Sequence, residues 1–177
     1  DALCKSTKPM AGEPVREGDD LATLIYTSGT TGMPKGVMHS FDNFAWALHA
    51  GNQRLPMGED DRMLSYLPLA HVVERVLVEH GWLRNGMRIF FADSLDTFTT
   101  DMQRARPTVF FSVPRLWVKF QQAIQHKMPQ PKLQRLLGLP LIGGLVRRKI
   151  QKTLGLDQAR ICAGGAAPMP LALLQWY

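Results

Sequence analysis

Short apolar runs of strand length alternate with helix-length segments along this chain, and this alternation constrains its fold more than any other feature. Strands are predicted at 62–66, 88–91 and 108–111, and helices at 97–104 and 115–126. Strands that are separated by helices form parallel or mixed sheets with helices on their faces. We therefore predict an α/β fold in which ligands bind at the carboxyl ends of the strands.

A glycine- and hydroxyl-rich loop joins two further strand-length runs near the start of the chain. The runs are 21–26 and 36–39, and the loop also contains a single lysine and no acidic residue. Glycine permits positive φ angles, so successive backbone N–H groups can turn towards one anion-sized space. The candidate phosphate-binding residues are Thr27, Ser28, Gly29, Thr30, Thr31, Gly32 and Lys35.

An ordinary polar turn is the alternative interpretation of this loop, because glycine, serine and threonine accumulate in turns for conformational reasons alone. The loop is long for a hairpin, and its one cation stands among hydroxyl groups. A Walker A loop is disfavoured, since Lys35 is followed by Gly36 where that motif has serine or threonine.

The composition is that of a globular protein and excludes several other classes. Hydrophobic residues make 45% of the 177 residues and charged residues 20%, which argues against disorder. No apolar stretch approaches the roughly 18 to 20 residues that a membrane-spanning helix requires. Cys4 and Cys162 are far apart and match no metal or redox spacing, so a cytoplasmic location is expected.

Two helices are predicted from capping residues and apolar spacing. Ser40 is a candidate N-cap for a helix that ends near Gly51, with Phe41, Phe44, Ala45 and Leu48 as its core face. Pro68 is predicted to open another helix. The apolar face of that second helix is predicted to consist of Leu69, Val72, Val73, Val76 and Leu77.

His71 and Trp117 are candidate substrate-contacting residues. His71 falls outside the apolar face of its predicted helix and is placed to face a cleft, although a solvent-exposed or locally hydrogen-bonded histidine is the alternative. Trp117 lies at a predicted helix start beside a face formed by Leu116, Phe120, Ala123 and Ile124. A tryptophan in such a position is also a common packing residue.

The last informative segment is a strand that runs into small residues at 159–168. These residues leave room for a flat ligand to approach the backbone, although the same pattern also fits a tight strand-to-helix turn. The candidate ligand-contacting residues are Gly164, Gly165, Ala166, Ala167 and Pro168.

The net charge of +6 comes from one segment of the chain. Residues 115–160 contain ten Lys or Arg and a single acid, Asp157, whereas the remainder carries −3. Within this segment lies an uncharged stretch at 136–146 with basic residues on both sides. The region from Leu136 to Lys149 is a candidate peripheral membrane contact, with a solvated basic face as the alternative. No nucleic-acid partner is expected, because aromatic residues are not interleaved with these bases.

Four of these stretches together resemble the AMP-forming acyl-adenylate enzymes, which comprise acyl-CoA synthetases, luciferases and adenylation domains. The loop 27–37 is similar to the signature loop of that superfamily, and 67–75 and 113–117 are similar to motifs of its long-chain fatty-acid CoA ligases. The segment 159–168 is similar to the adenylate-binding segment. The resemblance covers nearly the whole chain from about Asp20.

The resemblance implies a ligase that uses ATP, Mg²⁺ and coenzyme A to activate a long-chain fatty acid. It implies that the loop binds the β- and γ-phosphates of ATP and that Thr27 lies near the magnesium ion. It also implies that Gly164 to Pro168 contact the adenylate. His71 would then line the acyl pocket, and Trp117 would guard the fatty-acid tunnel. Lys35 would order the loop rather than carry chemistry.

The chain departs from the family pattern because it ends before several of the motifs that the resemblance implies. We expect an irregular lead-in at 1–20 and, at 21–177, part of the large N-terminal domain of such an enzyme. The catalytic set is therefore expected to be incomplete, and the chain alone is expected to be inactive. Two alternatives remain: a noncatalytic nucleotide- or lipid-binding module, and adenylation of another carboxylate such as an amino acid or aryl acid.

Overall fold

The computed structural model describes residues 2–8, 11–13, 15–29 and 32–177, which divide between two compact units, 1–47 and 48–177. The first unit begins with a short helix, α1 (Ala2–Ser6), within the lead-in that was expected to be irregular. Two strands follow, β1 (Leu21–Thr27) and β2 (Lys35–Ser40), and they pair antiparallel with Thr27 opposite Lys35. The predicted strand–loop–strand arrangement is confirmed.

Helix α2 (Phe41–Arg54) begins where its cap was predicted and runs three residues beyond Gly51. The side-chain oxygen of Ser40 accepts a hydrogen bond from the N–H of Asn43 at 3.3 Å, which is the geometry of an N-cap. Phe44 and Leu48 are buried as predicted. Phe41 and Ala45 are exposed, so the predicted core face is wrong at those two positions.

Parallel strand pairs form the centre of the second unit. Strand β3 (Arg62–Ser65) pairs with β4 (Arg88–Phe91), and β5 (Val109–Ser112) pairs with β6 (Ile161–Gly164). The described strands thus form three two-stranded sheets rather than one continuous sheet. The α/β class and the parallel strand direction agree with the prediction.

Helices lie between these strands along the chain, and one more helix follows the last strand. They are a π-helix (Glu74–His80), α3 (Gly81–Asn85), α4 (Phe98–Ala105), α5 (Pro114–Lys127), α6 (Gln130–Leu137), α7 (Ile142–Leu154) and α8 (Leu171–Trp176). The helices α6, α7 and α8 were not predicted from the sequence.

Strand β5 has apolar side chains on both of its faces. Successive residues of a strand point to opposite sides, and Phe110 packs in a core with Phe98, Trp117 and Phe120. Val109 instead packs with Met63 in a second core, against the π-helix residue Val78. Because both faces of β5 are covered, the strand reads as a continuous apolar run in the sequence.

The helix predicted to open at Pro68 does not form there. Residue 68 has no regular structure, residues 69–71 are turn and bend, and helical structure begins at residue 72, directly before the π-helix at Glu74. The predicted apolar face is also wrong, since Leu69 and Val72 are exposed while Glu74 and Val78 are buried. A carboxylate therefore occupies the inner side of this segment, which hydrophobic spacing does not reveal.

An ion pair joins the amino-terminal ends of three strands. Arg160 Nε donates to the carboxylate of Asp61 at 2.8 Å, and the Arg160 NH2 group donates to Asp61 and to the carbonyl oxygen of Pro56. The hydroxyl of Thr108 donates to Asp61 at 2.7 Å and accepts the N–H of Arg62 at 2.9 Å. This network lies at the opposite ends of the strands from the predicted ligand-binding edge.

Candidate functional site

The loop between β1 and β2 takes the backbone geometry that its glycines were predicted to supply. Gly29 has a φ of 61° and Gly32 a φ of 80°. A Cβ added to Gly29 would lie 2.4 Å from the carbonyl oxygen of Met33, so no side chain fits there without a change in the turn. Thr30 and Thr31, which complete the predicted phosphate-binding set, lie outside the described residues.

The polar side chains of the described part of this loop are open to a ligand. The hydroxyl of Thr27 lies 3.5 Å from the carbonyl oxygen of Lys35, which is at the long limit of a hydrogen bond. Thr27, Ser28 and Lys35 are exposed. Among the described residues no carboxylate forms an ion pair with Lys35. A hydroxyl and an ammonium group without strong internal partners are suited to an anion.

The other predicted ligand segments meet at the carboxyl ends of β5 and β6. Ser112 is paired with Gly164 in the parallel register, and the N–H of Gly165 donates to the carbonyl oxygen of Ser112 at 3.2 Å. The helix α5, which carries Trp117, starts directly after β5. The register of one strand pair thus places two motifs together that are about fifty positions apart in the sequence.

Side chains fill the space over both glycines of this segment. A Cβ on Gly164 would lie 2.2 Å from the methyl carbon of Met169, and a Cβ on Gly165 would lie 2.5 Å from the ring of Phe111. The room predicted for a ligand at these two positions is therefore taken by Met169 and Phe111. Ala166 has a φ of 65°, which is unfavourable for a residue with a Cβ. Ala166, Ala167 and Pro168 are exposed.

Trp117 is buried, and its ring packs edge-to-face against the rings of Phe110, Phe120 and Tyr177. The predicted core face of α5 is wrong in part, since Trp117 belongs to it whereas Ala123 is exposed. The indole N–H of Trp117 is also buried, and it has no hydrogen-bond partner among the described residues. An unpaired buried donor is costly, and such donors are rare in native proteins.

A cavity of about 530 Å³ lies beside Trp117. Its lining is largely apolar and comes from the helices α5 to α8 and from β6. Lining side chains include Trp117, Leu133, Ile150, Leu154, Met169 and Trp176, and the backbone of Gly164 also reaches the cavity. A space of this size and lining accommodates an apolar ligand of moderate size.

His71 lies in the turn before the π-helix and is half-buried. Its Nδ1 accepts the N–H of Val73 at 3.3 Å, so the histidine is hydrogen-bonded locally. His71 is not among the residues that line the cavity beside Trp117, nor does it line a wider groove of about 1010 Å³ beside β4. The structure therefore does not bring His71 and Trp117 to one cavity wall.

Glu74 is a buried acid that the sequence reasoning did not single out. The hydroxyl of Ser65, at the carboxyl end of β3, donates a short hydrogen bond to its carboxylate. Burial raises the pKa of Glu74, and this effect is only partly offset by hydrogen bonds from Ser65 and the Leu67 backbone and by the nearby His71. The hydrogen bond from Ser65 to Glu74 holds the turn that contains His71 close to the end of β3.

Hydroxyl groups connect the carboxyl ends of β3 and β5. The hydroxyl of Tyr66 lies 2.9 Å from the hydroxyl of Ser112 and 3.2 Å from the carbonyl oxygen of Phe111. Burial raises the pKa of Tyr66, which keeps this phenol in its neutral form. Ser65, Tyr66 and Ser112 were missed because an isolated polar residue after a strand is a weak signal in one sequence.

The described residues do not form a metal centre of their own. Among them there is no group of three or more His, Cys, Asp or Glu side chains that could hold a metal ion. Thr27 offers one neutral hydroxyl oxygen, whereas Mg²⁺ prefers an octahedron of oxygen ligands that includes carboxylates or phosphates. Thr27 as a magnesium ligand stays a prediction.

A family profile and the sequences of individual relatives both match this chain over most of its length. The profile of the family described as AMP-binding enzyme matches residues 2–177. The long-chain-fatty-acid–CoA ligase ACSBG2 of Xenopus laevis is 31% identical over 209 residues, which cover 100% of this chain and 27% of that protein. The chain therefore spans about a quarter of the length of this curated relative.

Two solved structures share the fold. The A domain of carboxylic acid reductase from Segniliparus rugosus, in complex with AMP and a co-purified carboxylic acid, superposes with a TM-score of 0.73 at 28% identity and covers 99% of this chain and 28% of that one. A double mutant of o-succinylbenzoate CoA synthetase from Bacillus subtilis, bound with its product analogue, gives a TM-score of 0.62 at 25% identity over 90% of this chain and 27% of that one.

Proposed function

This chain belongs to the AMP-binding enzyme family, and from that premise we propose that the protein containing it joins a carboxylic acid to coenzyme A at the expense of ATP. An oxygen of the carboxylate attacks the α-phosphorus of ATP, and the bond to the leaving pyrophosphate breaks. The thiol of coenzyme A then attacks the carbonyl carbon of the acyl-AMP, and AMP leaves. The similarity to a long-chain-fatty-acid–CoA ligase over the whole chain supports a carboxylic acid and coenzyme A as the groups that are joined.

The chemical difficulty of the first step is charge, because one anion must approach a polyanion. Backbone N–H groups and cations fixed in advance around the phosphates reduce this repulsion without later rearrangement. The loop from Thr27 to Lys35 supplies glycine geometry, exposed hydroxyls and one exposed ammonium group. We assign this loop to the β- and γ-phosphates, with Lys35 ordering the loop and adding positive charge.

We propose a long-chain fatty acid as the acyl substrate, and the observation that carries this proposal is the apolar cavity of about 530 Å³ beside Trp117. Leucine, isoleucine and methionine side chains of the lining suit an alkyl chain, and Arg147 and several glutamines add polar groups to the same cavity. Trp117 lines this cavity together with Gly164 at the carboxyl end of β6, and this shared lining supports Trp117 as the residue that controls entry.

Activation of a different carboxylate is the second candidate. The similarity to an A domain that was solved with AMP and a co-purified carboxylic acid favours it, because that protein is a carboxylic acid reductase. The two candidates share the adenylate step and differ in the acid that the cavity accepts. Titration of a full-length protein with ATP and with a long-chain fatty acid, beside a turnover assay, also separates both from a noncatalytic binding module.

The test is the acyl chain-length profile of a full-length protein that contains this chain. We expect long-chain saturated acids to give the highest kcat/KM, and Trp117→Ala to change the ratio between long and medium chains by roughly tenfold or more. Trp46→Ala is the matched control, since Trp46 is a tryptophan that is 73% exposed. An unchanged profile in Trp117→Ala would remove Trp117 from the entry to the acyl site, and a preference for aryl or amino acids would favour the second candidate.

A further inference from the structure

The helices α6 and α7 form a hairpin whose outer end is apolar and exposed. The close approach of the two helices depends on Gly143, where a Cβ would lie 2.3 Å from the carbonyl oxygen of Leu137. We call the exposed apolar residues of this end the hairpin tip. They are Leu139, Leu141, Ile142 and Leu145, with exposed fractions of 42%, 90%, 44% and 68%.

These four side chains do not pack in the hydrophobic core. Helix α7 packs inward through Val146, Ile150 and Leu154, which belong to the aromatic core of the second unit or pack against it. At 100° per residue, Leu145 points away from that inner face, whereas Ile142, four residues before Val146, lies at its exposed end. Leu141 also has a φ of 66°, an unfavourable angle for a leucine, and yet its side chain is 90% exposed.

Positive charge follows the tip along the same helix face. Arg148 and Lys149 come one turn after Leu145, and Lys152 comes one turn later, so the outer face of α7 changes from apolar to basic within about 10 Å along the helix axis. These three cations are exposed and form no ion pair within the part of the chain that the structure describes. No Asp or Glu occurs between residues 115 and 156.

We propose that this hairpin docks on the surface of a membrane that contains anionic lipids. The leucines of the tip would enter the boundary between headgroups and acyl chains, at a depth of about 5–10 Å, while the cations one to two turns behind them would meet the lipid phosphates. None of the described helices has the length and apolar character needed to cross a bilayer, so the contact is peripheral.

Charge complementarity favours a lipid surface over the other occupants of an apolar patch. A second copy of this face would bring the same cations together and repel, because it carries no acid to pair with them. The proposal does not depend on which acid the protein activates. Inner residues of the same two helices, such as Leu133 and Ile150, line the cavity beside Trp117, so docking would bring that cavity close to membrane lipids.

The experiment is vesicle flotation of a full-length protein that contains this chain. Vesicles of phosphatidylcholine alone are compared with vesicles that also carry about 30 mol% phosphatidylserine, at low salt and at about 0.5 M NaCl. We expect binding to the anionic vesicles only, with a large loss at high salt. This comparison uses the unaltered protein, so it tests the proposal even if a variant fails to fold.

Two double variants separate the apolar and the electrostatic contributions. Leu141→Asp with Leu145→Asp removes the apolar anchor, and Arg148→Glu with Lys149→Glu reverses the charge. Each is expected to weaken binding to anionic vesicles by about tenfold or more. The matched controls are Leu95→Asp, at a leucine that is 87% exposed, and Arg54→Glu with Arg88→Glu, and both are expected to bind as the unaltered protein does.

Equal binding to neutral and anionic vesicles, or unchanged binding of both double variants, would overturn the proposal. Light scattering adds a further test. If the unaltered protein is a dimer that Leu141→Asp dissociates, and it does not float with vesicles, the hairpin tip is an interface between copies and not a lipid contact. Circular dichroism and thermal melting of each variant show whether its fold is retained.

Discussion

Asp61 ties together the amino-terminal ends of β3, β5 and β6. Burial by itself would raise its pKa. Hydrogen bonds from Arg160, Thr108 and the Gly58 N–H, with the charge of Arg160, outweigh burial and lower the pKa from 3.8 to about 2. Because the folded-state pKa lies below the unfolded one, this carboxylate stabilises the fold above pH 4, and the contribution is lost as the pH falls from about 4 to about 2.

Asp61→Asn is therefore expected to lower stability at neutral pH and to have less effect in acid. The cost at pH 7 is about 1–3 kcal/mol, since Arg160 is half-exposed and its attraction to Asp61 is partly screened. Thermal melting between pH 7 and pH 2.5 measures this, with Asp60→Asn as the control at an exposed neighbouring acid. A difference from the unaltered protein that is constant across this range would contradict the assigned role of Asp61.

Glu74 has the opposite pH dependence. Its pKa is raised above the ordinary value of 4.5, so its contribution to stability is fully present below about pH 4.5 and is lost as the pH rises through the raised pKa. Glu74→Gln keeps an acceptor for Ser65 and removes the buried charge. We expect the unaltered protein to lose stability relative to Glu74→Gln as the pH rises from 5 to 8.

Melting temperatures of Glu74→Gln at several pH values test this expectation. Glu59→Gln, at an exposed acid, is the control and should follow the unaltered protein at every pH. If Glu74→Gln and the unaltered protein keep a fixed difference between pH 5 and pH 8, Glu74 does not change its protonation state in this range, and the expected pH dependence is contradicted.

At the scale of elements, the residue that is tolerated at a helix end depends on the neighbouring element as well as on the local backbone angle. Gly86 ends α3 and Gly155 ends α7, and both have left-handed φ angles near 70°. A Cβ at Gly86 would approach nothing closer than 3.6 Å, whereas a Cβ at Gly155 would lie 2.4 Å from the backbone of Met102 in α4. The sequence presents these two glycines as equivalent caps.

Replacement of each glycine by alanine is expected to separate the two effects. Gly86→Ala should cost about 1 kcal/mol from the unfavourable φ angle alone, and Gly155→Ala about 2–4 kcal/mol, because α7 must also move away from α4. Denaturant titration of the two variants measures the difference. Equal losses of stability in the two variants would show that α7 can move away from α4 without a further cost in free energy.

At the scale of the whole molecule, the described residues carry only part of the charge-neutralising groups that adenylation requires. They contain Lys35 in the loop and no cluster of three or more His, Cys, Asp or Glu side chains that could hold a metal ion. A carboxylate and a polyphosphate repel each other unless their charges are balanced. The chain spans about a quarter of the length of the curated relative that it resembles.

We therefore expect no fatty-acid-dependent exchange of pyrophosphate into ATP by the 177-residue chain alone. A full-length protein that contains the chain should catalyse this exchange, and its Lys35→Ala variant should weaken it without altering the acyl chain-length profile. Measurable exchange by the isolated chain would show that these residues already form a complete adenylation site.

Local patterns determined much of the fold before any contact was known. The strand–loop–strand arrangement at 21–40, the four later strands and the start of α2 at Ser40 follow from side-chain period, capping and glycine content. These features depend on residues within a few positions of one another, and their physical causes are steric and local. The match to the AMP-binding enzyme family covers residues 2–177, which include these stretches.

Contacts between distant residues decided the rest. The burial of Trp117 and Glu74, the link from Tyr66 to Ser112, and the filling of space over Gly164 by Met169 all depend on how the elements pack. Hydrophobic period assigns a side chain to a face of its own element but does not say what lies opposite. The sequence by itself determined the α/β class and the family, and only the tertiary structure decided which side chains surround the cavity.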